Sequence, residues 1–151
     1  MKKTLLSIVA LLVALICALS FVACDNKTEN TEAETLAKGE EIAADGLWKD
    51  AIHRSDVTVG KGEKTIKIDV VADGKQITVK LKTDEATLGE AMYAEGLIND
   101  ATFFNVLNGI EASWEKDQAY WAFYQGETMM PHGVNDENIS GGESYRFVYT
   151  K

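Results

Sequence analysis

Two stretches of the chain alternate strictly between apolar and polar residues. In Thr65–Val71, Ile66, Ile68 and Val70 point one way, and Lys67 and Asp69 the other. In Gln76–Lys82, Ile77, Val79 and Leu81 oppose Thr78, Lys80 and Lys82. A period of two is the signature of a strand with one buried face. Asp73-Gly74 lies between the two runs and suits the type I′ turn of a tight hairpin. The pattern then changes. Thr87-Leu88-Gly89-Glu90 fits a capping box, with Thr87 as N-cap and Glu90 reaching back to its N–H. Leu88, Ala91 and Met92 share one face of the predicted helix, and Gly96 suits the position after its end. Leu97 and Ile98 are expected to turn back into the core.

Three further strands are predicted: Phe103–Leu107, the aromatic run Tyr120–Gln125, and Tyr145–Thr150 at the end of the chain. Asn108-Gly109, Glu115-Lys116-Asp117 and Gly141-Gly142 supply the turns between them. Leu47–Val59 is expected to add an edge strand carrying Trp48. The order strand, strand, helix, strand, strand, strand predicts an α+β domain. One helix packs on one face of a mixed sheet, in a β-grasp-like arrangement.

The N-terminal stretch has another character. Lys2 and Lys3 precede a run from Leu5 to Val22 that only Ser7 and Ser20 interrupt, and Ala23 stands before Cys24. This layout marks an export signal that is removed. Phe21-Val22-Ala23-Cys24 resembles the lipobox of bacterial lipoproteins, with Phe21 where the family usually has Leu. The resemblance implies that Cys24 receives a lipid and becomes the new N-terminus. An uncleaved membrane anchor is the alternative, since about 18 apolar residues can just span a bilayer. Either reading places the protein outside the cytoplasm, tethered to a bacterial cell membrane.

Removing residues 1–23 leaves 128 of the 151 residues, enough for one domain and a tail. It also takes away two lysines and no acid, so the net charge moves from −9 to −11. So acidic a chain excludes nucleic acid as a partner and argues against adhesion to anionic headgroups. Cys17 leaves with the signal and Cys24 carries the lipid, so no thiol remains for a disulfide, a metal or nucleophilic chemistry. Residues 24–50 read as an acidic tether. Asp25, Glu29, Glu32, Glu34, Glu40, Glu41, Asp45 and Asp50 face three lysines there. Such a segment buries too little to offset its ordering entropy, although Ala, Glu and Leu favour a short helix around Glu34–Ala44. The folded domain is expected over residues 51–151.

Candidate chemistry concentrates in the C-terminal half. Neither face of Tyr120–Gln125 is polar: Tyr120, Ala122 and Tyr124 point one way, Trp121 and Phe123 the other. One set must face the core. The other is either covered, by Leu47–Val59 or the loop after Gln125, or exposed as an aromatic platform that marks an interaction surface. The connection Gly126–Gly142 is long enough to suggest function and holds Met129-Met130-Pro131-His132. His132 could serve as a metal ligand, as imidazole commonly does, or stand as a solvated loop histidine, and His53 is equally isolated. Asp136-Glu137-Asn138 lacks the spacing of a calcium loop and reads as a polar turn. No serine elbow, zinc-protease motif or phosphate loop is present, so the chain reads as a binding protein and not an enzyme.

Tyr120-Trp121-Ala122-Phe123-Tyr124, Gly133-Val134, Gly142-Glu143 and Tyr145-Arg146-Phe147-Val148 together resemble the C-terminal β-domain of transcobalamin and intrinsic factor. Asn108-Gly109-Ile110 and Thr87–Ala91 fit the same pattern. The resemblance runs over about Lys64–Lys151 and implies a soluble-ligand-binding β-grasp domain. It implies capture of a corrinoid (cobalamin) or similar small molecule, for uptake; separately, no cofactor is expected to be required and no metal site is expected. The helical domain that grips the other side of the ligand in that family is absent from this chain. The residues expected to carry binding are Trp114, Tyr120, Trp121, Tyr124, Met129, Met130 and His132. The rival class is a cell-surface module that docks a surface or transport protein through the aromatic face or a sheet edge.

Overall fold

The computed structural model describes residues 34–35 and 40–151. The export signal and the lipid site at Cys24 lie outside the described residues. Within them the chain forms an α+β domain. Its strands are β1 (Glu34–Thr35), β2 (Val57–Gly60), β3 (Lys64–Ala72), β4 (Lys75–Thr83), β5 (Val106–Leu107), β6 (Ile110–Glu111), β7 (Tyr120–Gln125), β8 (Thr128–Met129) and β9 (Ser144–Thr150). Helix α1 is Leu88–Ala94, and a single turn, α2, is Trp114–Asp117.

The main sheet runs β4-β3-β9-β7-β8, and β1 and β2 occupy successive stretches of the outer edge of β4. It is mixed. The β3–β4, β7–β9 and β7–β8 pairs are antiparallel, while β9 lies parallel to β3. Its six columns and one main helix match the expected class. The β3–β4 hairpin follows the alternation directly: Ile66, Ile68, Val70, Ile77, Val79 and Leu81 are buried on one face. Asp73 and Gly74 both have positive φ, at 53° and 70°, as a type I′ turn requires.

The α1 face that meets this sheet is Leu88, Ala91 and Met92. Thr87 caps the helix by accepting from the Glu90 N–H, whereas the Glu90 carboxylate takes the Thr87 hydroxyl, not its backbone N–H. At the far end, Leu97 N–H donates to Met92 O and Gly96 N–H to Tyr93 O, the double bond of a Schellman ending. Leu97 and Ile98 are buried, as the pattern predicts.

Three expectations change. The edge strand is only Val57–Gly60, and Trp48 is not on it. Trp48 sits in a short 3-10 turn, Gly46–Trp48, fully buried, with its indole N–H on Ala72 O at 2.9 Å. Ile42 is buried beside it in the core. Both residues belong to the stretch read as tether, so the core reaches back into it. Around Glu34–Ala44 the described residues hold a two-residue strand and no helix. The third change concerns Phe103–Leu107. Only Val106–Leu107 is strand, because Asn99 and Asp100 fasten the residues before it into a loop. Asn99 Oδ1 accepts from the Asn105 and Val106 N–H groups, and Asp100 Oδ1 from those of Thr102 and Phe103.

Candidate functional site

The core-facing set of β7 is Trp121 and Phe123. Phe123 is buried against the sheet's own Phe147, and Trp121 packs partly on the core, edge-on to Tyr149 with ring centroids 5.5 Å apart. The aromatic run is therefore not a bare platform. It forms one wall of a cleft of about 810 Å³.

Three segments complete the cleft. The Asn99–Asn105 loop contributes Phe103 and Phe104. Phe104 leans edge-on against Phe147, while Phe103 stands 87% exposed. Turn α2 contributes Trp114. Ser113 caps that turn by accepting from the Lys116 N–H, and Gln118 leaves it in the left-handed conformation at φ 55°. β8 contributes Met129, and the segment after it Met130, His132 and Val134. It is tied to the sheet by Met130 N–H on Phe123 O, 2.8 Å.

Six of the seven residues expected to carry binding thus line one cavity: Trp114, Tyr120, Trp121, Met129, Met130 and His132. Tyr124 does not. It lies between Met129 and Arg146 in the sheet, on the face away from the core. Phe103, Phe104, Glu111 and Asn105 also line the cavity and were not among the expected residues. Phe103 was hidden by its apolar run. The Asn99-Asp100 pair ahead of it was the available signal, since such side chains compete for backbone N–H groups and make turns.

His132 is not a free loop histidine. Its Nε2 is 2.7 Å from Glu137 Oε2, and Tyr145 donates its hydroxyl to the other oxygen of Glu137 at 2.7 Å. The Tyr145 hydroxyl is pushed far above its ordinary 10.0, by burial first and then by the Glu137 bond and charge. Glu137 is placed by the backbone: Leu88 N–H donates to Glu137 O, and Ile139 N–H to Ala86 O. The start of α1 therefore anchors the far end of the long connection. The polar turn read at Asp136-Glu137-Asn138 is a short 3-10 turn (Val134–Asp136) followed by this anchor. Among the described residues no three His, Cys, Asp or Glu side chains come together to hold a metal ion, and no helix is long and apolar enough to cross a membrane.

No protein-family model matches the chain, and no curated protein matches it significantly. Solved structures do. A protein of Ruminococcus gnavus ATCC 29149, provisionally named as metal-binding, superposes with a TM-score of 0.54 at 20% identity, over 59% of this chain and 98% of that one. Haptocorrin in complex with Cbi aligns with a TM-score of 0.44 at 13% identity, over 58% of this chain and 25% of its own. At these identities the first likeness speaks for a shared fold alone.

Proposed function

We propose that this chain is an extracytoplasmic, lipid-anchored binding protein that captures a small organic ligand in the aromatic cleft. The observation that carries the reading is the cleft itself. Five aromatic side chains from three separate segments (Phe103, Phe104, Trp114, Tyr120 and Trp121) converge on one concavity. Three of them are substantially exposed, with Phe103 at 87%, Trp114 at 66% and Tyr120 at 43%. Clustered exposed aromatics are costly in water and typical of a site awaiting an apolar partner. The role is binding, not catalysis. The lipid at Cys24 keeps the cleft at the membrane surface, where a captured ligand is passed on for uptake.

A corrinoid is the first ligand to test, on the sequence resemblance to the transcobalamin family. The metal-binding name of the Ruminococcus protein transfers poorly, since the described residues bring no metal-ligand cluster together. Cobalamin titrated into the chain from residue 25 on, followed by tryptophan fluorescence, tests the reading. Saturable quenching at micromolar concentration, weakened by Phe103→Ala with an unchanged melting curve, supports corrinoid capture. Quenching that ignores Phe103 puts the ligand elsewhere.

One observation favours the rival class. β8 covers only Tyr124 and Gln125 of β7, so Tyr120–Ala122 has no strand on its outer edge among the described residues. An extended peptide could add there, with side chains entering the same cleft. Absence of any small-molecule binding, together with capture of a defined surface protein that protects β7 amides from exchange, would favour docking.

A further inference from the structure

The cleft is uneven in charge. Trp114 and Tyr120 set their rings 6.4 Å apart at 57°, so that their faces form an open corner. Glu111 and Glu115 line the same wall, and the one lysine there, Lys116, is committed to Glu111 at 3.2 Å. Glu115 is in no ion pair among the described residues, and Asp117 closes the same turn two residues on. The histidine of the lining, His132, faces Glu137. The field of this wall reaches Tyr149, whose hydroxyl is raised by burial first and then by Asp117 and Glu111.

The face of an aromatic ring carries negative charge density and attracts a cation, most strongly for indole. Carboxylates beside such faces add direct Coulomb attraction, and together they repel an anion. We propose that the cleft selects a cationic organic group, such as an alkylammonium or a comparably diffuse positive charge, seated on the Trp114–Tyr120 corner with Glu115 at its side. This deepens the reading given above and rests on the cleft being the ligand site. A neutral group of the same shape gains only the burial of area, without the ring and carboxylate terms.

Choline and 3,3-dimethylbutan-1-ol have the same shape and differ in one atom, nitrogen against carbon, and so in charge. Each is titrated into the chain from residue 25 on, whose core lies within residues 40–151. The indole N–H signals of its three tryptophans are followed by NMR. Choline is expected to bind roughly tenfold more tightly than the alcohol. Trp114→Leu should bring the two within about twofold, and Glu115→Gln should weaken choline alone. Both residues are exposed, so the spectrum of the core serves as the check on folding. Equal affinity for the two compounds, a choline response that survives Trp114→Leu, or no choline response up to tens of millimolar overturns the proposal. A parallel cobalamin titration separates the two failures. If cobalamin shifts the cleft tryptophans and choline does not, the cationic class is wrong and the cleft stands. If neither shifts them, the cleft itself is not the site.

Discussion

Phe123 on β7 and Phe147 on β9 lie directly opposite each other, ring centroids 4.9 Å apart and planes 5° from parallel. This stack joins the two halves of the domain. Phe147 sits on the strand that pairs with the β3–β4 hairpin, and Phe123 sits on the strand that walls the cleft. The core and the candidate site therefore share one pair of rings.

Phe147 is fully buried, touching Phe123 and Phe104. Truncation to alanine removes its transfer free energy and leaves a cavity that β9 cannot collapse into. Phe147→Ala is expected to lower stability by about 3–5 kcal/mol. A lower midpoint in urea with an unchanged slope is the expected readout. A loss below about 1 kcal/mol would be less than the burial of one phenyl ring contributes and would contradict the fully buried place of Phe147.

The placement of Ile42 and Trp48 decides where the folded unit starts. A chain begun at residue 51 loses both side chains and leaves Ala72 O without its indole donor. A chain begun at residue 40 keeps them. The longer form is expected to unfold cooperatively, and the shorter to be less stable by several kcal/mol or to fail to fold. Within the longer form, Trp48→Phe should cost about 2–4 kcal/mol, from lost volume and an orphaned carbonyl. Equal stability of the two truncations would contradict the buried role of these residues.

Local signals explain which parts of the fold were legible. The β3–β4 hairpin and α1 were, because alternation, Asp73-Gly74, Thr87 and Gly96 all act within a few residues. Trp48 was not. Its partner is Ala72, and a lone indole among acids carries no period that marks it as buried. Phe103 failed for the opposite reason. Its neighbours imitate a strand, while hydrogen bonds from Asn99 and Asp100 win the backbone for a loop. The cleft was legible in its residues but not in its shape. Alternation puts Tyr120 and Tyr124 on one face and Trp121 on the other, yet Tyr120, at the start of β7 and beside Trp114, joins Trp121 in the cleft, while Tyr124, held between Met129 and Arg146, is left out. Nothing in residues 99–105 read in isolation points toward Trp114, which arrives there through the Asn108-Gly109 turn between β5 and β6.

Tyr145 makes a prediction about alkaline pH. Its folded-state ionisation is raised above the ordinary 10.0, chiefly by burial and then by its hydrogen bond to Glu137. The folded protein therefore holds a proton that the unfolded chain releases near pH 10. Stability from this group is complete below that pH and falls as pH rises above it, by about 1.4 kcal/mol per unit. Ultraviolet titration should show one tyrosine that ionises only together with unfolding. Tyr145→Phe should remove that part of the alkaline slope while leaving Glu137 bound to His132 alone. A normal titration of Tyr145 in the folded state, identified as the signal lost in Tyr145→Phe, would show that its hydroxyl is open to water.

Asp100 links the Asn99–Asn105 loop to the proposed binding site. It is solvent-exposed, and its carboxyl is held below the ordinary 3.8 by the N–H groups of Phe103 and then Thr102. Those bonds fix the backbone that presents Phe103 at the cleft mouth. The stabilisation they give the loop is present above pH 3.8 and is lost as pH falls through the depressed folded value. Asp100→Ala removes the acceptor without touching the core, so the melting temperature should change little. The loop should move more freely, and Phe103 should lose its fixed position. Ligand affinity is expected to fall about three- to tenfold, close to the loss from Phe103→Ala, since ordering the loop would then be charged to binding. The double variant should be no worse than either single one, because both act through the same ring. Additive losses in that cycle would assign Asp100 a contact of its own with the ligand, and no loss from Asp100→Ala would mean that the loop holds its shape through Asn99 alone.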